Sequence, residues 1–517
     1  MTRRLPRLLA VVAGLAAASV TLSGCLFSPI PDERTTSSPA PTDGLSADVL
    51  PYYTQTVQWS ACGSFQCAKV TAPLDWHAPS AGRIELAVIR QTALDGHPQG
   101  SLLVNPGGPG ASAVSFLRDS LSTAVGSELP KTYDVVAFDP RGVGASTAVT
   151  CLDAAGMDAH LFDIPPGTRG SDEWNAAVGA GNASFAQACE AHSGGILPYI
   201  STEQSARDMD LIRGVLGDEK LTYLGYSYGT KLGAIYAELF PARVGRLVLD
   251  GAMDPSIGEL GVSTAQAIGF ESSMRAYMAS CLAGTDCPFT GTVDDGMADL
   301  GTMLARVDQS PLANSDGRML GADTLLTAIV AALYSQSSWS YLTTALTNVD
   351  AGNPATAFQL ADFYYNRSNG TYSDNSTEAF TAYNCMDYAR TSTAADVDAA
   401  NRTLREKAPT VAPYWGSDTV AHPELDPCSF WPVPATGTAE PVSAPGAAPI
   451  VVIGTTGDPA TPYDWAVSLA HQLSSGVLIT RVGEGHTGFN KGNSCVDDAV
   501  ETYFRDGTPP NGDLRCE

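Results

Sequence analysis

Leu221-Thr222-Tyr223-Leu224-Gly225-Tyr226-Ser227-Tyr228-Gly229 decides how this chain is read. Leu221 to Leu224 has the make-up of a buried strand, and Thr230 to Phe240, stopped by Pro241, that of a helix. A Gly-x-Ser-x-Gly placed between strand and helix forces a tight turn in which bulk at either glycine would clash, and it pushes the serine hydroxyl out at the strand end. The helix that follows favours negative charge at its start, and the N–H of Tyr228 points towards a developing oxyanion. Ser227 is therefore expected to be a nucleophile; in a plain loop the same residues would be a tight turn with an incidental serine.

Working outward, Ser101 to Val104 reads as a strand that runs into Asn105-Pro106-Gly107-Gly108-Pro109-Gly110. Consecutive glycines let the backbone approach a carbonyl closely, so Gly108 is the expected second oxyanion donor. A phosphate loop is excluded because no Lys-Ser/Thr follows, and the dinucleotide Gly spacing is absent. Downstream, Ile450 to Ile453 is a buried-strand run with Gly457-Asp458-Pro459 beyond its end, and Val477 to Arg481 leads to Gly483-Glu484-Gly485-His486. Asp458 is the expected acid and His486 the base, with Glu484 read as solvated. The order Ser, Asp, His, each residue after a strand, is that of the α/β-hydrolases. His77, His97, His160, His192, His422 and His471 lack such a setting.

Further strand candidates are Ile84–Arg90, Val135–Asp139 and Arg246–Leu249, with helices between, one opening at Thr202-Glu203-Gln204-Ser205 and closing at Gly217. From about residue 256 to 430 strand signals give way to helical periods at Leu320–Tyr334, Tyr341–Val349 and Ala355–Tyr364. The expected fold class is α/β: a mostly parallel central sheet flanked by helices, with a large helical cap inserted before the last strands. The expected organisation is a leader over 1–24, a tether over 25–48, core over 49–255, cap over 256–430 and core again over 431–517.

The leader combines Arg3, Arg4 and Arg7 with an apolar run, Leu8 to Val20, too short to span a membrane comfortably. It ends in Leu22-Ser23-Gly24-Cys25, which resembles a lipobox, so Cys25 is the expected lipidation site; Ala16-Ala17-Ala18 keeps a simple cleavable signal open, and Arg3-Arg4 keeps twin-arginine export open beside the general route. The expected location is the outer face of a bacterial cell membrane, held by the lipid, with release as a second outcome. Of 517 residues, 29 are Lys or Arg and 55 Asp or Glu, giving a net charge of −26, which repels nucleic acid. Eleven cysteines with no C-x-x-C spacing point to an oxidising compartment and away from metal.

Cys62 and Cys67 with Ala72-Pro73-Leu74-Asp75-Trp76, then NPGGPG, Asp139-Pro140-Arg141-Gly142-Val143-Gly144-Ala145-Ser146, GYSYGT, GTTGDPATP and GEGH together resemble the secreted tripeptidyl aminopeptidases of actinobacteria, relatives of proline iminopeptidases. The resemblance runs from about Val57 to Cys516. It implies a serine exopeptidase that removes short peptides, tripeptides above all, from free N-termini, with nucleophile Ser227, acid Asp458, base His486, and oxyanion donors Gly108 and Tyr228. Proline iminopeptidases begin the loop His-Gly-Gly, whereas Pro106 stands first here, which bears on the donor's identity. An acid in the cap is implied for the substrate ammonium: Asp387, with Asp362 and Glu271 as runners-up. The ten cysteines after Cys25 are expected to pair in chain order as Cys62–Cys67, Cys151–Cys189, Cys281–Cys287, Cys385–Cys428 and Cys495–Cys516, although sequence does not fix connectivity.

No cofactor and no metal are expected; the expected partners are peptide or protein substrates with free N-termini, and a monomer is favoured although sequence does not fix the oligomeric state. Two other readings use the same residues: a carboxylesterase or lipase on the same triad, and a surface binding protein that kept the fold and lost activity.

Overall fold

The structure, a computed structural model, describes residues 36–42, 44–415 and 421–517. The leader, Cys25 and the first part of the expected tether lie outside the described residues. The centre is a ten-stranded sheet. Its strands are β1 (Ser60–Cys62), β2 (Phe65–Pro73), β3 (Arg83–Gln91), β4 (Ser101–Asn105), β5 (Asp134–Phe138), β6 (Leu221–Tyr226), β7 (Val244–Asp250), β8 (Ile450–Gly457), β9 (Gly476–Glu484) and β10 (Leu514–Cys516). In space they run β10-β9-β8-β7-β6-β4-β5-β3-β2-β1. Every pair from β10 to β5 is parallel, and β3, β2 and β1 extend the sheet antiparallel.

All the strands expected from sequence are present. Leu102 to Val104, Val135 to Ala137 and Ile450 to Ile453 are buried without alternation, the pattern of strands covered by helices on both faces. β1, β2 and β10 escaped the sequence reading: β2 mixes Lys, Thr and Ala with its apolar residues, and the short β10 is held by its register with Ile479–Arg481 and by Cys495–Cys516. All five expected disulfides are formed.

The helices over the sheet include α1 (Ala113–Val125), α2 (Ala154–Phe162), α3 (Asp172–His192), α4 (Thr202–Leu216) and α5 (Tyr228–Leu239). The cap region carries α6 (Glu259–Ala283), α7 (Val293–Gln309), α8 (Ala322–Leu333), α9 (Trp339–Asp350), α10 (Ala355–Tyr364), α11 (Ser376–Asp387) and α12 (Ala394–Lys407). Residues of α6 to α10 build a second apolar core with Leu404 and Val411, joined by Phe162 of α2.

Three boundaries differ from expectation. α11 does not share the cap's core: Ala379, Ala382, Tyr383 and Met386 pack into the main one, and Cys385 ties the helix to Cys428, so 256–430 is not one separate body. The expected tether ends early, because Thr36–Ser37 already pair with Val57–Gln58, Ser37 accepts from the indole of Trp59 at 2.9 Å, and Ala40 N–H donates to Gly214. Small side chains let this segment lie flat against the body. α4 is capped by Ser201, whose hydroxyl accepts from Gln204 N–H, rather than by Thr202, and it closes at Gly217 with φ 93°.

Candidate active site

Four adjacent parallel strands, β6, β7, β8 and β9, deliver the site at their C-terminal ends. β6 ends at Tyr226, and Ser227 makes the turn into α5 with φ 55° and ψ −124°, a conformation a non-glycine residue adopts only under strain. Both flanking glycines are required by close approach: a Cβ on Gly225 would lie 2.5 Å from Gly229 O, and one on Gly229 would lie 2.9 Å from Asn105 O. Ser227 N–H donates to Asp250 O at 2.9 Å, so the elbow hangs on the end of β7.

The loop after β4 lies against this elbow, a Cβ on Gly107 falling 2.9 Å from Ser227 Cβ and 3.0 Å from Tyr228 N. Gly107 N–H is spent on the Asn105 side chain at 2.9 Å. Among the described residues the N–H groups of Gly108 and Tyr228 meet no acceptor, which leaves them as the pair expected from sequence. Tyr228 is anchored at its far end, where its hydroxyl shares a 2.6 Å hydrogen bond with Thr202 Oγ1.

Beyond β8, Asp458 is fully buried at its side chain and engaged on every side. It accepts from the N–H of Ala460, Thr461 and Thr487 and from the Thr461 hydroxyl at 3.0 Å. Both of its oxygens stand 2.9 Å from His486 Nδ1. A carboxylate only accepts, so Nδ1 carries the proton and Nε2 presents its lone pair. Nε2 is buried and has no hydrogen-bond partner among the described residues. His486 and Ser227 are both tied to the end of β7: a Cβ on Gly251 would sit 3.1 Å from His486 Cε1, and the preceding residue, Asp250, accepts from Ser227 N–H. The cap closes over it: Tyr334 O accepts from His486 N–H at 2.9 Å and the two rings meet edge to face.

The three acids expected to receive an ammonium are all committed elsewhere. Asp387 is buried, bonded to Thr202 N–H at 2.8 Å and to the Thr202 hydroxyl, and paired with Lys231 at 3.3 Å. Asp362 is paired with Arg318 at 2.8 Å and with Arg367. Glu271 accepts from the N–H groups of Thr410 and Val411 and from the Thr410 hydroxyl, fastening the chain after α12 onto α6. Asp387 and Asp362 are paired with cations of the fold and Glu271 is filled by backbone and hydroxyl donors, which removes the reason to place a substrate amine at any of them. Glu484, read as solvated, is half-buried with its carboxylate against Gly457, and burial pushes it above the usual range.

Asp250, Thr461, Asn105 and Tyr334 complete the site and were not singled out from sequence. Asp250-Gly251 carried a signal, an acid followed by glycine directly after a buried apolar strand; the other three become visible only once distant segments meet. A cavity of about 1220 Å³ between α3 and the cap, lined by Arg169, Trp174 and Tyr414, does not include Ser227 or His486.

A serine on a strand-to-helix elbow, an imidazole held by a buried aspartate, and two N–H groups without acceptors at the elbow and in the loop against it, all at the C-terminal edge of a mainly parallel sheet, define a serine hydrolase of α/β-hydrolase fold. Residues 412–516 match the family described as TAP-like protein. The chain is 35% identical over 537 aligned residues to serine protease Hip1 of Mycobacterium tuberculosis, covering 99% of this chain and 98% of that one. It is 38% identical to carboxylesterase B of the same organism, with 89% of each covered, and 31% identical to tripeptidyl aminopeptidase of Streptomyces lividans, with 89% and 84% covered. The chain belongs to this family of tripeptidyl-aminopeptidase-like serine hydrolases.

Proposed function

We propose that the protein is a serine exopeptidase that releases short peptides, tripeptides in the first instance, from free N-termini. The observation that carries the reading is the imidazole of His486, held at Nδ1 by both oxygens of Asp458 and bare at Nε2, on a loop tied like Ser227 to the end of β7. Ser227 Oγ attacks the scissile carbonyl as His486 Nε2 takes its proton. The oxyanion is received by the N–H groups of Gly108 and Tyr228, and His486 returns the proton to the leaving amine. Water then enters the same way and frees the acyl group. Acyl transfer is supported by the geometry; end-dependent peptide cleavage is supported by the relatives named serine protease and tripeptidyl aminopeptidase.

A carboxylesterase is the second reading, favoured by the relative of that name and by the identity of the chemistry. Product mapping by mass spectrometry on a mixed set of free and N-acylated peptides separates them. Tripeptide products from free peptides alone are expected; equal cleavage of N-blocked tripeptide anilides would remove the aminopeptidase reading. The leader supports export and lipid anchoring through Cys25 to the outer face of the cell membrane; Cys25→Ala is expected to move the protein from the membrane fraction into the medium. Among the described residues no helix is long and apolar enough to cross a membrane.

A further inference from the structure

We infer that Asp250 is a positioning residue for the base, its carboxylate seating the His486 loop while its main chain seats Ser227, a step that rests on reading those two as base and nucleophile. Asp250 is the last residue of β7, between the strand that leads to Ser227 and the strand that leads to Asp458. It is fully buried. Its carbonyl accepts from Ser227 N–H at 2.9 Å. Its two carboxylate oxygens accept separately from Gly488 N–H and Phe489 N–H, each at 2.8 Å, two and three residues beyond His486. The next residue, Gly251, donates to Ile453 of β8 at 3.1 Å. Two consecutive residues therefore touch all three segments that carry Ser227, Asp458 and His486.

The chemistry of the side chain argues against a filler. Both oxygens act as acceptors, so an amide in the same place would turn its NH2 against an N–H donor. A carboxylate held only by backbone N–H groups in a dry site is also expensive. Burial pushes Asp250 up to about 6, opposed by the N–H groups of Phe489 and Gly488 and by the positive charge of protonated His486 and of Lys491. The charge has a use where it stands, since it is close enough to interact electrostatically with the imidazole that becomes cationic as Ser227 attacks. The other titratable groups around it are Tyr226 on β6, whose hydroxyl its charge holds protonated together with burial, and Asp458 on the far side of the imidazole.

The test is Asp250→Asn in the full chain, after fluorophosphonate labelling of the unaltered protein and its loss in Ser227→Ala. Absence of that labelling would remove the serine-hydrolase mechanism itself, a separate failure. With labelling present, the asparagine variant is expected to lose tenfold or more in kcat per titrated site, with KM within twofold and no fall in Tm, because relief of the buried charge offsets the lost acceptor. An unchanged kcat per titrated site with a lowered Tm would make Asp250 purely structural and overturn the inference. Should the variant not fold, Asp250→Glu, which keeps two acceptor oxygens but displaces them by one methylene, decides: it is expected to retain fluorophosphonate labelling of Ser227 while losing tenfold or more in kcat per titrated site. Parent kcat per titrated site in that variant overturns the inference.

Discussion

The N–H of His486 donates to the carbonyl of Tyr334 at 2.9 Å, and their rings meet edge to face with centroids 5.2 Å apart. The base is thus held from above by the end of cap helix α8 as well as from below by Asp458. The cap is part of the catalytic scaffold in addition to being a roof over the cleft.

Tyr334→Ala keeps the main-chain bond and removes the ring. An edge-to-face pair contributes about 0.5–1.5 kcal/mol beyond burial, so a fall in kcat of about three- to tenfold is expected by steady-state assay. Tyr334→Phe keeps the ring and is expected to stay within about twofold, since only the hydroxyl's partnership with Tyr364 is lost.

Gly251→Ala tests the space between nucleophile and base. Gly251 has φ +67°, and an added Cβ would stand 3.1 Å from both His486 Cε1 and Thr487 Cγ2. Left-handed backbone strain costs on the order of 1–3 kcal/mol, and the imidazole must shift. Active-site titration is expected to show at least a tenfold lower rate per site, together with a lower Tm; wild-type kinetics would show that the loop yields without consequence.

Asp387→Ala removes one partner of a buried ion pair and leaves Lys231 uncompensated beneath α11, which costs about 3–5 kcal/mol. Thermal unfolding is expected well below that of the parent, while the preference for free over N-blocked peptides stays unchanged. Loss of that preference at full stability would restore Asp387 as the amine site.

Glu378, in the first turn of α11, is pushed up to about 7 by burial, helped by the nearby charge of Asp374. Its folded state holds a proton that the unfolded chain releases near 4.5, so its contribution to stability is complete below 4.5 and is lost as pH rises through about 7. Glu378→Gln is expected to raise Tm at pH 8 and to leave it nearly unchanged at pH 4.5. The gain at pH 8 should be roughly 1–3 kcal/mol by denaturant titration, and a variant equally stabilised at both pH values would reject the buried-proton account.

While the pairing of the cysteines needed the structure, the sequence by itself determined the chain order Ser227, Asp458, His486, the strands that carry them and the glycine elbow. These are legible because they are local: an apolar run, a turn residue and a short loop each declare themselves within about ten residues. The tertiary structure decided which acids are free. Asp387, Asp362 and Glu271 each looked available from sequence, yet Lys231 lies 156 residues from Asp387 and Thr410 lies 139 from Glu271. Asp250 was decided the same way, since its carboxylate meets Gly488 across 238 residues. An acid's role depends on which donors surround it, and those donors come from segments that only folding brings together.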